Sequence, residues 1–292
     1  MLIDTPPAAD VCRLCGAPGT RPAGAFDDFR IRTCRACGVM FRAGGGEQDA
    51  PLSHAEDMTE EVWSEFERLY YPGRARTYAR VLDQLGAGDG KPLLDVGSAA
   101  GWFMEAALRR GFVPMGMEPS IDIAPVGQRR VNRPVQIGIL EQAPYAAATF
   151  DAVTLFDVLE HTTDPRASLR EIARVLRPRG SVAIRVPDND GLLPRVSHWM
   201  AALSGGRFVQ AIRLLWRFHR WGFNRRSLEG LLAECGFEVV TRYGEDAQDL
   251  AAMPRKHWAR NRVVVFGVRA IIAASHLLGM RDEIVVIARK TA

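Results

Sequence analysis

The stretch Leu93-Leu94-Asp95-Val96-Gly97-Ser98-Ala99-Ala100-Gly101-Trp102-Phe103 joins a short apolar strand and an acidic residue to a glycine-bearing turn that opens into a helix. Small residues at 97 to 101 let the backbone approach a ligand closely, and a helix running from Trp102 toward Arg110 presents unpaired N–H groups at its start. In the dinucleotide fingerprint such groups meet a pyrophosphate, and the third glycine of G-x-G-x-x-G lets helix and strand pack. That spacing is absent; the motif is Asp-x-Gly-Ser-Ala-x-Gly. Just beyond it, Val113-Pro114-Met115-Gly116-Met117-Glu118 reads as a second strand ending on a carboxylate. A carboxylate about 20 residues past the first turn is where a ribose diol is gripped. The pair points to a ribose-bearing cofactor held without a pyrophosphate.

From Pro92 onward short apolar runs alternate with helical stretches, the pattern of βαβ units and an α/β fold with a parallel sheet. Strands are expected near 92–96, 113–117, 135–137, 151–156, 180–186, 236–243 and 283–289, with helices at 101–110, about 121–130, 165–177 and 227–235. Ligands of open α/β sheets collect beyond the carboxyl ends of the strands. This gathers Asp95 to Gly101, Glu118, Leu140 with Glu141, and Phe156 to His161 around one crevice. Upstream, Val62, Phe66 and Leu69 recur at helical spacing, Pro72-Gly73 predicts an interruption, and Tyr78, Val81, Leu82 and Leu85 resume the period before Gly86-Ala87-Gly88.

Four ordered matches resemble the class I S-adenosylmethionine-dependent methyltransferases, most closely the small-molecule branch: the turn with its carboxylates, Phe150-Asp151-Ala152-Val153, Leu155-Phe156-Asp157-Val158-Leu159-Glu160-His161, and Arg174-Val175-Leu176-Arg177-Pro178-Arg179-Gly180. Ala99 stands where the family's D-x-G-x-G-x-G has its central glycine. The resemblance implies a Rossmann-like sheet with helices on both faces and S-adenosylmethionine as cofactor. It places Asp95, Gly97, Ser98 and Gly101 along the methionine portion, Glu118 on the ribose, Leu140 with Glu141 at the adenine, and Phe156 with Asp157 on the near side. His161 and His219 are the candidate general bases, since an imidazole titrates near neutral pH.

Of five cysteines, Cys12-x-x-Cys15 and Cys34-x-x-Cys37 form two pairs separated by 18 residues, with Cys235 alone. The spacing fits a structural zinc site closed by four thiolates. Disulfides are the rival reading, disfavoured by an N-terminus that carries acids and prolines in place of a secretory leader. The same feature makes a cytoplasmic location the expectation. Residues 1–50 are thus read as a zinc ribbon, 51–90 as a helical linker or cofactor cover, and 91–292 as the methyltransferase domain with inserts at about 192–226 and 255–280.

Leu192 to Arg226 holds no acid, and carries Arg195, Arg207, Arg213, Arg217, Arg220, Arg225 and Arg226 among Trp199, Phe208, Trp216, Phe218, Trp221 and Phe223. An amphipathic lid helix over 208–219 is the structural reading, and arginine recognition of a phosphate-bearing acceptor the functional one. Arg255-Lys256-His257-Trp258 precedes an apolar helix broken by Arg269 and His276, which is expected to pack on the domain, with peripheral membrane contact as the alternative. The net charge of +4, from 38 basic and 34 acidic residues, is too mild to imply nucleic acid. An N-terminal zinc module also occurs in RNA base methyltransferases, but the ribbon here balances Arg13, Arg21, Arg30, Arg32, Arg35 and Arg42 against six acids. The resemblance therefore favours O-methylation of a sugar, glycan or other small metabolite. RNA methylation and a non-catalytic scaffold are the alternatives.

Overall fold

The computed structural model describes residues 10–25, 29–43, 60–203, 219–245 and 262–291. Its main sheet holds β4 (Pro92–Val96), β5 (Val113–Glu118), β6 (Val135–Ile137), β7 (Phe150–Phe156), β8 (Leu176–Pro187), β10 (Phe237–Glu245) and β11 (Glu283–Lys290) in the order β10-β11-β8-β7-β4-β5-β6. The strands from β4 to β8 run parallel, and β11 lies antiparallel between β8 and β10. All seven expected strands are present. A second, antiparallel sheet joins β1 (Thr20–Ala25), β2 (Arg30–Cys34) and β3 (Met40–Ala43) to the two-residue strand β9 (Trp221–Gly222).

Period-two alternation sorts the strands of the main sheet between two cores. Leu93, Ala152, Ala183, Val285 and Ile287 face α1 (Glu60–Leu85) and α2 (Trp102–Arg109) through Tyr78, Val81, Leu82, Phe103 and Ala107. Their neighbours Leu94, Val153, Val182, Ile184 and Val286 face α4 (Pro165–Val175) and α6 (Arg225–Glu234) through Leu169, Ile172, Leu228 and Leu232. The ribbon shares this second core, contributing Cys12, Leu14, Cys34, Val39 and Phe41. Trp221 and Phe223, read in sequence as part of a cationic aromatic insert, are buried there as well.

Two expectations need correction. Helix α1 runs unbroken through Pro72 and Gly73. At 100° per residue, positions 62, 66 and 69 fall on the side opposite to 78, 81, 82 and 85, and a change of phase mimics a break while the backbone continues. Helix α4 ends at Val175 and β8 begins at Leu176, ahead of the expected residue 180, because Pro178 biases the residue before it away from helix. The extra residues are absorbed by a register shift between Phe150 and Ala152. The remaining helices are α3 (Ala124–Val131), α5 (Leu192–Leu203) and α7 (Arg262–Leu278).

The expected lid helix over 208–219 lies outside the described residues except for His219, as does 255–261. Helices α5 and α7 pack on each other and leave Trp199, Phe266, Leu277 and Leu278 exposed. Among the described residues no helix is long and apolar enough to cross a membrane.

Phe41 is 2% exposed and packs beside Trp221 where the ribbon meets the core. Phe41→Ala is expected to cost about 3–5 kcal/mol in urea unfolding. A loss below about 1 kcal/mol would mean that the ribbon sits loosely on its partner.

Candidate active site

The turn after β4 is built on left-handed backbone at Gly97 (φ +70°), Ala99 (φ +45°) and Gly101 (φ +81°). A Cβ at Gly97 would stand 2.4 Å from Val158 Cγ2, so only glycine fits that position. Ala99 adopts the same conformation at a cost of about 1–2 kcal/mol, and its N–H donates to Glu118 Oε2 at 3.0 Å. The other oxygen of Glu118 accepts the N–H of Ser120 at 3.0 Å. Burial raises the Glu118 pKa, and these two donors pull against the rise. Each oxygen keeps acceptor capacity for a hydroxyl.

Beside the turn, the hydroxyl of Thr154 donates to Asp95 Oδ1 at 2.7 Å. Burial pushes Asp95 up to about 7; the Thr154 hydrogen bond opposes the shift and the nearby Glu118 charge adds to it. Ser98 Oγ is buried with no hydrogen-bond partner. Leu140 is buried on the short turn Leu140–Gln142 after β6, while the exposed Glu141 accepts a hydrogen bond from the Ser168 hydroxyl on α4. Phe156 stacks among Tyr78 and Phe103, at ring-centroid distances of 5.2 and 4.8 Å. Asp157, in left-handed backbone (φ +57°), is gripped by Arg74 at 2.6 Å and by Arg185. Burial works to raise its pKa, and the two guanidinium groups overcome that and hold it below the ordinary value.

At the carboxyl end of β7 the turn Leu159–His161 carries Glu160, 1% exposed, with neither carboxylate oxygen hydrogen-bonded. Burial raises its pKa well above the usual range, and the Asp157 charge adds to this. His161 Nε2 lies 4.0 Å from Glu160 Oε1. His219, 58 residues on, meets His161 edge to face, with ring centroids 4.8 Å apart and planes at 70°. Backbone bonds hold that meeting in place: Arg220 N–H donates to Glu160 O at 2.9 Å and Trp221 Nε1 to Thr162 O at 2.8 Å.

The four ribbon cysteines form one cluster, with Cys12 Sγ 3.9 Å from Cys37 Sγ and Cys15 Sγ 3.7 Å from Cys34 Sγ. None is in a disulfide. Zinc–thiolate bonds of about 2.3 Å in a tetrahedron space sulfurs by about 3.8 Å, so the set fits that ion. Backbone N–H groups of Cys15, Ala36 and Cys37 point at the sulfurs of Cys12 and Cys34, which suits thiolates.

Sequence reasoning overlooked Arg74, Arg185 and Thr154. An arginine inside the apolar run Ser181-Val182-Ala183-Ile184-Arg185-Val186 was the available clue, since a buried guanidinium needs an acid. Arg185 meets two, Asp157 and Glu283, the second at 3.5 Å.

Residues 70–242 match the family described as a methyltransferase domain. A ubiquinone biosynthesis O-methyltransferase of Escherichia fergusonii is 27% identical over 136 residues, which cover 44% of this chain and 54% of the relative. Its Escherichia coli counterpart is 26% identical over 135 residues, with the same coverage. The chain thus spans about half the length of these curated relatives. Among solved structures, a geranyl diphosphate C-methyltransferase of Streptomyces coelicolor A3(2), bound to S-adenosyl-L-homocysteine, is similar with TM-score 0.56 and 18% identity over 80% of this chain and 84% of that one. The YcgJ protein of Bacillus subtilis gives TM-score 0.53 and 14% identity over 75% and 99%. At these identities the likeness is one of fold.

A raised carboxyl pKa favours the folded state at low pH and is lost as a source of stability when pH climbs through the folded value. For Asp95 the penalty grows from about pH 4 to about 7. Asp95→Asn, which can still accept from Thr154, is expected to stabilise the protein by up to about 4 kcal/mol at pH 8, with the gain closing below about pH 4. Urea unfolding at the two pH values checks it. A gain independent of pH would show that the carboxylate is not the strained group.

Proposed function

Because the chain belongs to the methyltransferase-domain family, we propose that it transfers a methyl group from S-adenosylmethionine to an oxygen of a small-molecule or sugar acceptor, in natural-product or polysaccharide biosynthesis. The observation that carries this reading is the lock between Glu118 and the left-handed turn. It sets a two-oxygen acceptor over a glycine-lined cradle, the arrangement a ribose without a pyrophosphate requires.

Glu118 would take the ribose hydroxyls, and the turn from Gly97 to Gly101 would border the methionine portion. Ser98 Oγ and Asp95 have the chemistry to receive its ammonium group, and Asp95 would ionise on meeting that charge. Leu140 with Glu141 would flank the adenine, while Phe156 and the ion-paired Asp157 close the near side. When bound, the cofactor supplies an electrophilic methyl carbon on a sulfonium, reached by in-line attack. The protein's part is then mainly to align the nucleophile.

His161 and His219 take the acceptor side. Their imidazoles stand beside the end of β7, where an acceptor hydroxyl must shed its proton or have the resulting charge stabilised. Cys12, Cys15, Cys34 and Cys37 would hold zinc in a structural role, because four protein ligands leave no open position. An RNA acceptor is the weaker reading: the ribbon arginines are balanced by acids, and Arg32 and Arg42 are engaged by Thr20 and the Phe29 ring.

Calorimetry with S-adenosylhomocysteine tests the cofactor assignment. Glu118→Ala is expected to weaken binding by about 100-fold, close to 3 kcal/mol. Unchanged affinity in a variant that still melts cooperatively would overturn it. Across a panel of sugar and phenolic acceptors, His161→Ala and His219→Ala are expected to bind the product normally and to lose about 100-fold or more in its rate of formation. Wild-type turnover in both would remove the histidines from the reaction.

A further inference from the structure

We propose that Glu160, His161 and His219 form a second metal centre, separate from the cysteine cluster, that takes a divalent first-row transition ion. One ligand atom from each of the three residues lies within 4.8 Å of the other two. Bonds of about 2.0–2.2 Å to nitrogen and oxygen place neighbouring ligand atoms about 3–3.5 Å apart, so modest side-chain rotations close the set around an ion. Two imidazoles and one carboxylate suit zinc, iron or cobalt in preference to magnesium or calcium, which take oxygen ligands.

Glu160 supplies the second, independent argument. A buried carboxylate is normally hydrogen-bonded or paired, and an orphan one is costly. Glu160 is 1% exposed and both its oxygens lack a hydrogen-bond partner. Arg185, the buried guanidinium on the neighbouring strand, is engaged by Asp157 and Glu283. A cation between Glu160 and the histidines satisfies the carboxylate with the residues already in place.

The ligand frame is also fixed in advance. His161 N–H donates to Val158 O at 2.9 Å within the turn, and Arg220 N–H to Glu160 O at 2.9 Å ties the His219 segment to it. Three protein ligands, unlike the four of the ribbon, leave coordination positions open. The role of those positions rests on the methyl-transfer reading; the existence of the centre does not. An acceptor hydroxyl bound there would pass its proton to water more readily. Its oxygen then forms the bond to the methyl carbon as the sulfonium S–C bond breaks and S-adenosylhomocysteine departs.

The test is zinc stoichiometry by elemental analysis, on the full chain dialysed to equilibrium against dilute zinc, beside calorimetry with S-adenosylhomocysteine. Two zinc ions per chain are expected in the wild type and one in both Glu160→Gln and His219→Ala, with the product still bound by each variant. One ion in the wild type, or two retained in the variants, would overturn the centre. His219→Ala decides alone if Glu160→Gln does not fold. If the zinc count falls as expected while the wild type fails to bind S-adenosylhomocysteine, the centre stands and the methyl-transfer reading falls.

Discussion

The Glu118 carboxylate accepts an N–H from Ala99 on one oxygen and from Ser120 on the other, and so ties the turn after β4 to the turn after β5. Those strands are sheet neighbours, with Asp95 opposite Gly116 and Val96 opposite Met117. The N–H groups of Gly97 and Ser98 both reach back to Met117 O. Gly116 makes the fold-over possible, since a Cβ there would meet Ser98 Oγ at 2.6 Å. Three left-handed residues in five are tolerable because this web of backbone bonds over-determines them. The cradle is therefore shaped before any ligand arrives.

The parts of the fold that sequence exposed are those where local chemistry and periodicity agree. Leu93 and Leu94 face opposite cores, the glycines sit at the positive φ values, and Glu118 ends its strand as its position implied. Where several terms compete, sequence misled. Pro178 moved the boundary between α4 and β8, and the phase change near Pro72 hid the continuity of α1. Two-residue β9 has no period to read, and its existence depends on β3, which lies about 180 residues earlier. His161 and His219 were each legible as candidates. Their contact was not, because it arises from hydrogen bonds made by Arg220 and Trp221 in the tertiary fold.

Charge is distributed unevenly along the carboxyl end of β7. Asp157 has two guanidinium partners, and Arg185 serves Asp157 and Glu283 together, which makes a desolvated chain of alternating sign. Such a chain holds its members rigidly, because removing one strands the others without compensation. Glu160, three residues on from Asp157, is buried beside His161, and burial together with the Asp157 charge favours its neutral form until a cation meets it. The same short segment thus has one acid spent on rigidity and one left to bind.

The seam between β3 and β9 gives the ribbon a meaning that its size hides. Met40 and Phe41 pair with Gly222 and Trp221, and Arg42 N–H donates to the carbonyl of Arg220, the residue after His219. One edge strand of the ribbon's sheet is thus donated by the opposite end of the chain. Domain shuffling normally works at linkers that few contacts cross. Here a recombination event that exchanged or deleted the ribbon would expose an unpaired strand edge and loosen the histidine beside it. A minimal version of this protein must therefore keep the edge strand of the ribbon along with the crevice.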